Sequence, residues 1–194
     1  MCSYDYTNRA GVEQITWERF ADLAATLAER VEPLAPDLLL GVARAGLLPA
    51  TAVACALRRE LFPVRLTRRV NDAVRFDTPV WRTPLPLEVA GRRVLVVDEM
   101  ADSGETLRLV ADAARTAGAA HVATAALVAH SWAQPAPDAT ALVTDAFVIF
   151  PWDARVLVAG RWQPHPEIVA GLAAQAGAGG TTRLVHLDTN ANPG

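Results

Sequence analysis

Residues 94–107 constrain the fold of this chain more than any other segment. An apolar run ends there in two adjacent carboxylates, Asp98 and Glu99, and a third acid, Asp102, precedes the small polar run Ser103–Thr106. This order predicts a buried strand, a polar turn and the start of a helix. Backbone N–H groups at a helix N-terminus can hold a phosphate, and carboxylates can meet a sugar diol or a hydrated divalent ion. The segment therefore suits a phosphorylated sugar that arrives with a metal ion.

The wider pattern of strands and helices predicts an α/β fold. Apolar runs predict strands at 38–43 and 94–98, alternation of apolar and polar residues predicts one at 62–69, and further strands are predicted at 121–128 and 146–150. Helical spacing of apolar residues, with Pro33 just beyond, predicts a helix at 16–32, and further helices are predicted at 46–59, 105–117 and 166–175. Such alternation is typical of a mostly parallel sheet flanked by helices. Ligands in these folds bind beyond the carboxyl ends of the strands, where Asp98 to Thr106 are expected.

Length and composition predict a single domain over residues 1–175. The segment 70–90 contains three prolines and is predicted to be mostly irregular. A loop of this length inside a compact domain commonly has a function or is mobile. Residues 176–194 are rich in Gly, Ala, Thr and Asn and are predicted to form a flexible C-terminal tail.

Charge and cysteine content exclude several classes of partner. The net charge of −3 and the pI near 5.8 argue against a nucleic-acid-binding surface. No apolar run approaches the length that spans a bilayer, and the N-terminus lacks the pattern of a signal peptide. Cys2 and Cys55 have no metal-ligand or redox spacing and are predicted to be free thiols. We therefore expect a cytoplasmic protein with neither nucleic acid nor membrane as a partner.

The 94–107 segment resembles the ribose-phosphate-binding motif of the type I phosphoribosyltransferases, which use 5-phosphoribosyl 1-pyrophosphate (PRPP). The resemblance implies that Asp98 and Glu99 contact the ribose hydroxyls and metal-bound water, and that Asp102 lies near the base. The turn that follows holds the 5′-phosphate. The residues implied to bind ribose or PRPP are Asp98, Glu99, Ala101, Asp102, Ser103, Gly104, Glu105 and Thr106. A capped helix after an ordinary sheet strand is the structural alternative.

Gly41–Ala50 resembles the pyrophosphate loop of the same family. The segment follows a predicted strand and opens a predicted helix, and Arg44 supplies a positive charge. The resemblance assigns Arg44 and Ala45 to pyrophosphate binding and makes Ala43–Arg44 a candidate for a strained or cis peptide bond. An ordinary glycine-containing turn between strand and helix is the alternative.

Arg68 and Arg69 precede the 70–90 segment, which is a lid over the reacting centre in this family. Guanidinium groups bind phosphate oxygens bidentately, so either arginine could bind the pyrophosphate. Closure of a lid would shield the reacting sugar from water. The alternative for these arginines is a solvated, basic strand end.

Phe147–Asp153 resembles the purine-binding segment of the 6-oxopurine phosphoribosyltransferases, in particular the xanthine–guanine branch. Its sequence is Phe-Val-Ile-Phe-Pro-Trp-Asp. The resemblance implies that Phe147 stacks on the base and that the Val148 backbone bonds its edge. Trp152 contacts the base or packs beside it, and Asp153 serves a second metal ion. A core strand that ends at a proline turn is the structural alternative.

His130 departs from the family pattern. In the 6-oxopurine enzymes a lysine near the end of the preceding strand donates to the exocyclic O6 of the base. The best match in this chain is Ala129–Ser131, which places His130 where that lysine belongs. Imidazole can donate to O6, but it could also face a different substituent. The acceptor base is therefore less constrained than the reaction.

The implied reaction is transfer of the 5-phosphoribosyl group from PRPP to a nitrogen of a purine-like base, as in purine salvage. Pyrophosphate leaves and a nucleoside 5′-monophosphate forms, with Asp102 as the predicted catalytic residue that takes the proton from the base. Magnesium is the predicted cofactor, because acids without a metal ion would repel the anionic substrate. The predicted metal-binding residues are Asp98, Glu99 and Asp153.

Two alternatives to purine transfer stay open at this point. The same chemistry could act on an unusual base, such as a 7-deazapurine in secondary metabolism, which only His130 suggests. A non-catalytic regulator that senses PRPP is the other alternative, although the presence of the expected acids and of Arg44 favours an enzyme. The resemblance also implies a homodimer or a homotetramer.

Overall fold

The computed structural model describes most of the chain in two compact units. The described residues are 9–67, 69–70, 73–76 and 79–177. The sheet unit contains residues 21–144, and the terminal unit combines residues 9–20 with 145–177. Arg68 and residues 178–194 lie outside the described residues. The single domain, the lid and the C-terminal tail therefore stay predictions.

A six-stranded sheet forms the sheet unit. In spatial order its strands are β6 (Val80–Thr83), β3 (Glu60–Thr67), β2 (Leu38–Val42), β7 (Arg93–Ala101), β8 (His121–Ala129) and β9 (Ala139–Val143). Strands β3, β2, β7, β8 and β9 are parallel, and β6 pairs antiparallel with β3. The predicted α/β fold with a mostly parallel sheet is confirmed.

Three helices belong wholly or partly to this unit. Helix α1 (Trp17–Val31) begins in the terminal unit and continues into the sheet unit. Helix α2 (Leu47–Leu57) joins β2 to β3, and α3 (Glu105–Thr116) joins β7 to β8. Each of these two helices packs against the strands that it connects. Strand–helix–strand connections of this kind keep successive strands parallel.

The centre of the sheet is buried on both faces. Every residue of β2 is buried, as is every residue of Val94–Asp98 in β7. These runs are almost wholly apolar, which is typical of parallel strands covered on both sides. The side chains of α3 that pack into the same core are Leu107, Val110, Ala111 and Ala114. Each fully buried leucine or valine contributes about 1.5–3 kcal/mol. The acids at the end of β7 therefore stand on a firmly packed strand.

The terminal unit has its own small elements. They are β1 (Val12–Gln14), β10 (Phe147–Ile149), β11 (Arg155–Val158), β12 (Arg161–Pro164) and α4 (Pro166–Gly177). Strand β1 pairs in parallel with β10, and β11 and β12 form an antiparallel hairpin. A cluster of buried side chains, Phe147, Ile149 and Ile168, packs β10 against α4. The strand predicted at 146–150 thus exists, but its partner is β1 and not the large sheet.

Two local predictions are wrong in part. The segment 70–90 is more ordered than predicted, because β6 lies within it and a 3₁₀ turn occupies Leu87–Val89. Two short strands, β4 (Arg69–Val70) and β5 (Ala73–Val74), also pair with each other there. Strand β7 continues to Ala101, three residues beyond its predicted end at Asp98, so Glu99 also lies within the strand. The pairing of Ala101 with β8 prolongs the ladder, and the local sequence pattern does not reveal such pairing.

Two further predictions concern the whole chain. No helix among the described residues is long and apolar enough to span a bilayer. Cys55 is a free, exposed thiol, as predicted, whereas Cys2 lies outside the described residues.

Candidate active site

The strand order of the large sheet reverses between β2 and β7. From β2 the chain passes outward to β3 on one side, and it later resumes with β7 on the other side. In open α/β sheets, ligands bind beyond the carboxyl ends of the strands at such a reversal. The Arg44 loop follows β2, and the three acids of the 94–107 segment lie at the carboxyl end of β7. The topology therefore brings two predicted site segments to one edge of the sheet.

A cavity of about 80 Å³ lies at this edge, between the end of β7 and the start of α3. Its lining residues are Asp98, Met100, Ala101, Asp102, Ser103, Gly104, Glu105, Thr106 and Leu107. All of the predicted ribose- and PRPP-binding residues except Glu99 are among them. Carboxylates and the first turn of a helix thus line the same space, so a single ligand can reach both.

The first turn of α3 supplies backbone donors to the cavity. The helix begins at Glu105 with Gly104 as its N-cap, and the Ser103 hydroxyl accepts a hydrogen bond from the Glu105 N–H at 3.3 Å. N–H groups in a first helical turn have no carbonyl one turn back, and the helix dipole favours an anion there. The Glu105 side chain is exposed to solvent. The turn is suited to a phosphoryl group.

Gly104 is required for both the backbone conformation and the packing of this turn. Its φ is +81°, a region that other residues rarely adopt. A Cβ at Gly104 would also meet the Pro135 carbonyl oxygen and lie 3.1 Å from the Gln134 carbonyl carbon. In addition, the Gln134 N–H donates to the Ser103 carbonyl at 2.9 Å. The loop after β8 therefore packs directly on the turn that forms the cavity.

We expect Gly104→Ala to destabilise the protein more than Gly91→Ala does. Gly91 also has a positive φ of +72°, but a Cβ there would meet nothing within 4 Å. Gly91→Ala should therefore cost only the backbone strain, about 1–2 kcal/mol. Gly104→Ala adds a steric clash, for which about 1–3 kcal/mol is typical. Urea unfolding of the two variants measures the difference, and equal losses of stability would contradict the packing argument.

Asp98 is a buried carboxylate whose charge is unfavourable without a ligand. Its side chain accepts a hydrogen bond from the Glu99 N–H at 2.9 Å. Burial, and next the nearby charge of Glu99, raise the pKa of Asp98 well above its ordinary value. A divalent cation or hydroxyl donors from a ligand would stabilise the ionised form.

The carboxylates of Asp98 and Glu99 are suited to a magnesium ion that arrives with its substrate. Within residues 9–67, 69–70, 73–76 and 79–177, no group of three or more His, Cys, Asp or Glu side chains is placed to hold a metal ion. Magnesium is commonly bound by one or two carboxylates, with substrate phosphates and water completing its shell. Asp98 and Glu99 could supply the protein's share of such a shell.

Gly46 brings the start of α2 against Asp98. A Cβ at this position would lie 2.6 Å from Asp98 Oδ1 and 2.6 Å from the Val42 carbonyl oxygen. Only glycine therefore allows the Arg44 loop to approach β7 this closely. Arg44 is exposed beside this contact, Ala45 is half-buried, and the Ala43–Arg44 peptide bond is cis, as the resemblance predicts.

His130 lies directly after β8 and contacts the carboxyl ends of three strands. Its backbone N–H donates to the Ala101 carbonyl at 3.1 Å, and its Nδ1 lies 2.5 Å from the Thr144 carbonyl oxygen. Its Nε2 lies 3.7 Å from Asp102 Oδ1. The ring stacks on Trp132 with 4.3 Å between the ring centroids. His130 and Asp102, predicted separately from the sequence, are thus neighbours.

Comparison with known proteins identifies the family of the chain. A family model of the phosphoribosyl transferase domain matches residues 11–159. The chain belongs to the phosphoribosyltransferase family. This finding confirms the resemblance and the predicted enzyme class, and it makes the cavity the candidate active site of a phosphoribosyltransferase.

Several phosphoribosyltransferases are similar in sequence. The chain is 30% identical to a xanthine-guanine phosphoribosyltransferase of Cereibacter sphaeroides over 157 residues, which cover 72% of this chain and 85% of the relative. It is also 30% identical to a xanthine-guanine phosphoribosyltransferase of Nitratidesulfovibrio vulgaris over 148 residues, which cover 73% of this chain and 85% of the relative.

Solved structures agree with this family. A purine phosphoribosyltransferase from Pyrococcus horikoshii superposes with a TM-score of 0.66 at 29% identity, covering 73% of this chain and 93% of that one. A xanthine-guanine-hypoxanthine phosphoribosyltransferase from Helicobacter pylori superposes with a TM-score of 0.62 at 20% identity, covering 73% and 92%. The second similarity supports the fold alone.

Phe147 and Val148, the predicted base-binding residues of this phosphoribosyltransferase, lie in β10 of the terminal unit. Phe147 is 4% exposed and packs in the core cluster with Ile168. Val148 is also buried, and it pairs with Glu13 of β1. Both residues therefore have a packing role within their unit, and their contact with a base stays a prediction.

Trp152 and Asp153 follow the same strand. Trp152 stacks on Phe150 with ring centroids 4.8 Å apart, and it contacts the rings of Phe20 and Trp17. Its indole Nε1–H is buried and has no hydrogen-bond acceptor among the described residues. Asp153 is exposed, and its N–H donates to the Phe150 carbonyl at 3.1 Å. The predicted roles of Trp152 in base binding and Asp153 in metal binding stay predictions.

The predicted pyrophosphate arginines after β3 can be placed only in part. Arg68 lies outside the described residues, and only the backbone of Arg69 is described, in β4. Their binding of pyrophosphate stays a prediction.

Sequence reasoning missed four residues that shape the site, namely Gly46, Trp132, Pro135 and Thr144. Gly46 was visible only as one of several small residues after β2. The others lie in the loop after β8 or after β9, a strand that was not predicted. Gly46, Pro135 and Thr144 contact residues that are distant along the chain, and no local motif marks such contacts. Trp132 stacks on His130, which lies two residues before it.

Proposed function

We propose that this protein transfers the 5-phosphoribosyl group of PRPP to a nitrogen of a purine base, releasing pyrophosphate and forming a nucleoside 5′-monophosphate. One observation carries the proposal: Asp98, Asp102 and the first turn of α3 line one cavity at the strand reversal. The xanthine-guanine and purine phosphoribosyltransferases among the similar proteins support a 6-oxopurine as the acceptor. Purine salvage is the corresponding biological role.

In this proposal, each part of the substrate binds a different group of residues at this edge of the sheet. The 5′-phosphate binds to the backbone N–H groups at the start of α3. Asp98 and Glu99 accept hydrogen bonds from the ribose hydroxyls and hold the magnesium ion. Arg44, in the loop beside Asp98, binds the pyrophosphate oxygens. Magnesium, when bound, neutralises negative charge on the pyrophosphate as it leaves.

Bond breaking at the sugar and deprotonation of the base are coupled in this proposal. The bond from C1 to the pyrophosphate oxygen breaks, and its electron pair leaves with the pyrophosphate. The base nitrogen forms the new bond to C1 from the opposite face. Asp102 takes the proton that this nitrogen releases, a type of transfer that contributes about 10²–10⁴-fold to the rate.

The proposal has further parts. Asp153 serves a second metal ion, and Arg68 or Arg69 assists at the pyrophosphate. The protein acts in the cytoplasm as a homodimer or a homotetramer. The 7-deazapurine and regulator alternatives are not favoured, because the similar proteins are purine enzymes and all of the expected acids are present.

A base panel tests the proposed function. The full chain is incubated with PRPP and magnesium, and with guanine, xanthine, hypoxanthine, adenine or 7-deazaguanine in turn. Pyrophosphate and nucleotide are both measured, with controls that lack the base. We expect product with at least one 6-oxopurine and loss of product when EDTA removes magnesium. Product with 7-deazaguanine alone would favour the unusual-base alternative, and no product with any base would contradict the enzyme.

A further inference from the structure

One ring nitrogen of His130 is hydrogen-bonded to a backbone carbonyl. The Nδ1 atom lies 2.5 Å from the Thr144 carbonyl oxygen, which can only accept a hydrogen bond. Nδ1 must therefore carry the hydrogen in this contact. The partner of one imidazole nitrogen decides the state of the other. In the neutral ring, Nε2 consequently presents a lone pair.

That lone pair faces Asp102. The distance from Nε2 to Asp102 Oδ1 is 3.7 Å, which is longer than a hydrogen bond. A carboxylate and a lone pair repel each other unless a proton lies between them. Hydrogen bonds at catalytic groups are often long without substrate and shorten in the reacting complex.

The imidazole is held in this orientation by its surroundings. The His130 side chain has no exposed surface, whereas the Asp102 side chain is 42% exposed. The ring packs against Trp132 at an interplanar angle of 23°, and the His130 backbone is bonded to Ala101. Asp102 is among the residues that line the cavity and His130 is not, so a ligand there meets the Asp102 side chain first.

We propose that His130 is a positioning residue that acts through Asp102 and does not itself contact the base. This inference rests on the proposed function. The base N–H bond breaks, its electron pair forms the bond to C1, and its proton passes to Asp102. Nε2 then accepts a hydrogen bond from the protonated carboxyl group, or takes the proton and becomes imidazolium beside the carboxylate. The base-binding role that the resemblance implies for His130 is thereby replaced.

Two variants with amide side chains distinguish the roles of the two ring nitrogens of His130. In His130→Asn, the side-chain amide can still donate to Thr144, but nothing stands at the Nε2 position. In His130→Gln, the amide oxygen reaches towards Asp102 and can accept a hydrogen bond from its protonated form. The matched control is His121→Asn, because His121 is exposed at the opposite end of β8.

We expect His130→Asn to lower kcat by about 10- to 100-fold, a part of the 10²–10⁴-fold typical of general acid–base catalysis. The KM values for PRPP and for the base should change by less than about twofold, because the residue acts only in the reacting complex. His130→Gln should regain part of the lost kcat, and His121→Asn should have no effect. A raised KM for the base with an unchanged kcat would overturn the proposal in favour of direct base contact.

A double-mutant cycle tests the dependence on Asp102. If His130 acts only through this acid, His130→Asn should change kcat by less than about twofold once Asp102→Asn is present. If the loss of kcat in the double variant equals the product of the losses in the two single variants, the proposal is overturned, because His130 would then act independently of Asp102.

An NMR measurement tests the contact between His130 and Asp102 without an enzyme assay, so its outcome does not depend on the proposed function. The ¹⁵N resonances of the His130 ring are assigned by their loss in His130→Asn. We expect the tautomer with hydrogen on Nδ1, and we expect Asp102→Asn to shift the Nε2 resonance. Asp112→Asn, which removes an exposed acid of α3, should not shift it. A hydrogen on Nε2 alone, or identical spectra in both acid variants, would overturn the contact even if no base served as a substrate.

Discussion

Asp102→Asn is expected to lower kcat by about two orders of magnitude or more, because an amide cannot take the proton from the base. Binding of PRPP should change little, since the proposed function assigns the phosphate to the α3 turn and the ribose to the acids of β7. Initial rates of pyrophosphate release give kcat, and calorimetric titration with PRPP and magnesium gives the affinity. A fall in kcat at constant affinity would identify an interaction made only during the reaction.

The matched control for this prediction is Asp112→Asn, which removes an acid of the same charge from an exposed face of α3. Asp112 forms ion pairs with Arg108 at 3.2 Å and with Arg115 at 2.9 Å. Exposed pairs of this kind contribute about 0–1 kcal/mol, so the control should retain full turnover. Unchanged turnover in Asp102→Asn itself would remove Asp102 from the mechanism.

The cavity could be predicted from the sequence because one continuous segment builds it. Strand β7, the polar turn and α3 follow one another, so the residues from Asp98 to Thr106 stay close in any strand–turn–helix unit. The apolar periodicity of residues 16–32 likewise predicts α1 as an amphipathic helix. The sequence of neighbouring residues was sufficient to predict these features.

Contacts between distant segments could not be predicted in the same way. The approach of Gly46 to Asp98 depends on β2 and β7 being neighbours in the sheet, and the packing of Pro135 on Gly104 depends on β8 being next to β7. Strand β9 was missed because Ala139–Val143 is short and weakly apolar. With β9 unassigned, the bond from His130 to Thr144 had no basis in the sequence pattern.

Asp98→Asn is expected to make the protein more stable and much less active. Burial and the charge of Glu99 raise the pKa of Asp98 above its ordinary value of 3.8, so the folded protein holds this proton where the unfolded chain has lost it. The free energy of unfolding therefore falls as pH rises from that ordinary value through the native pKa. Asparagine has no charge and escapes this loss, and its side-chain oxygen can still accept from the Glu99 N–H. A gain on the order of 1 kcal/mol would raise Tm by about 2–4 °C near neutral pH.

The gain in stability should depend on pH and on ligand in a defined way. Without magnesium and PRPP, Asp98→Asn should have the higher Tm near pH 7. The difference in Tm should shrink towards about pH 4, where both folded and unfolded chains bind the proton. Asp112→Asn should show no such trend. Magnesium with PRPP should stabilise the unsubstituted protein and reverse the order, because ligands that bind only the folded state raise its stability. Turnover of Asp98→Asn at neutral pH should fall by about 100-fold or more, since groups that merely support a metal ion already account for 10–100-fold. An advantage that stays constant over this pH range would mean that Asp98 is charged equally in the folded and unfolded chains, and that its burial carries no electrostatic cost for a cation to relieve.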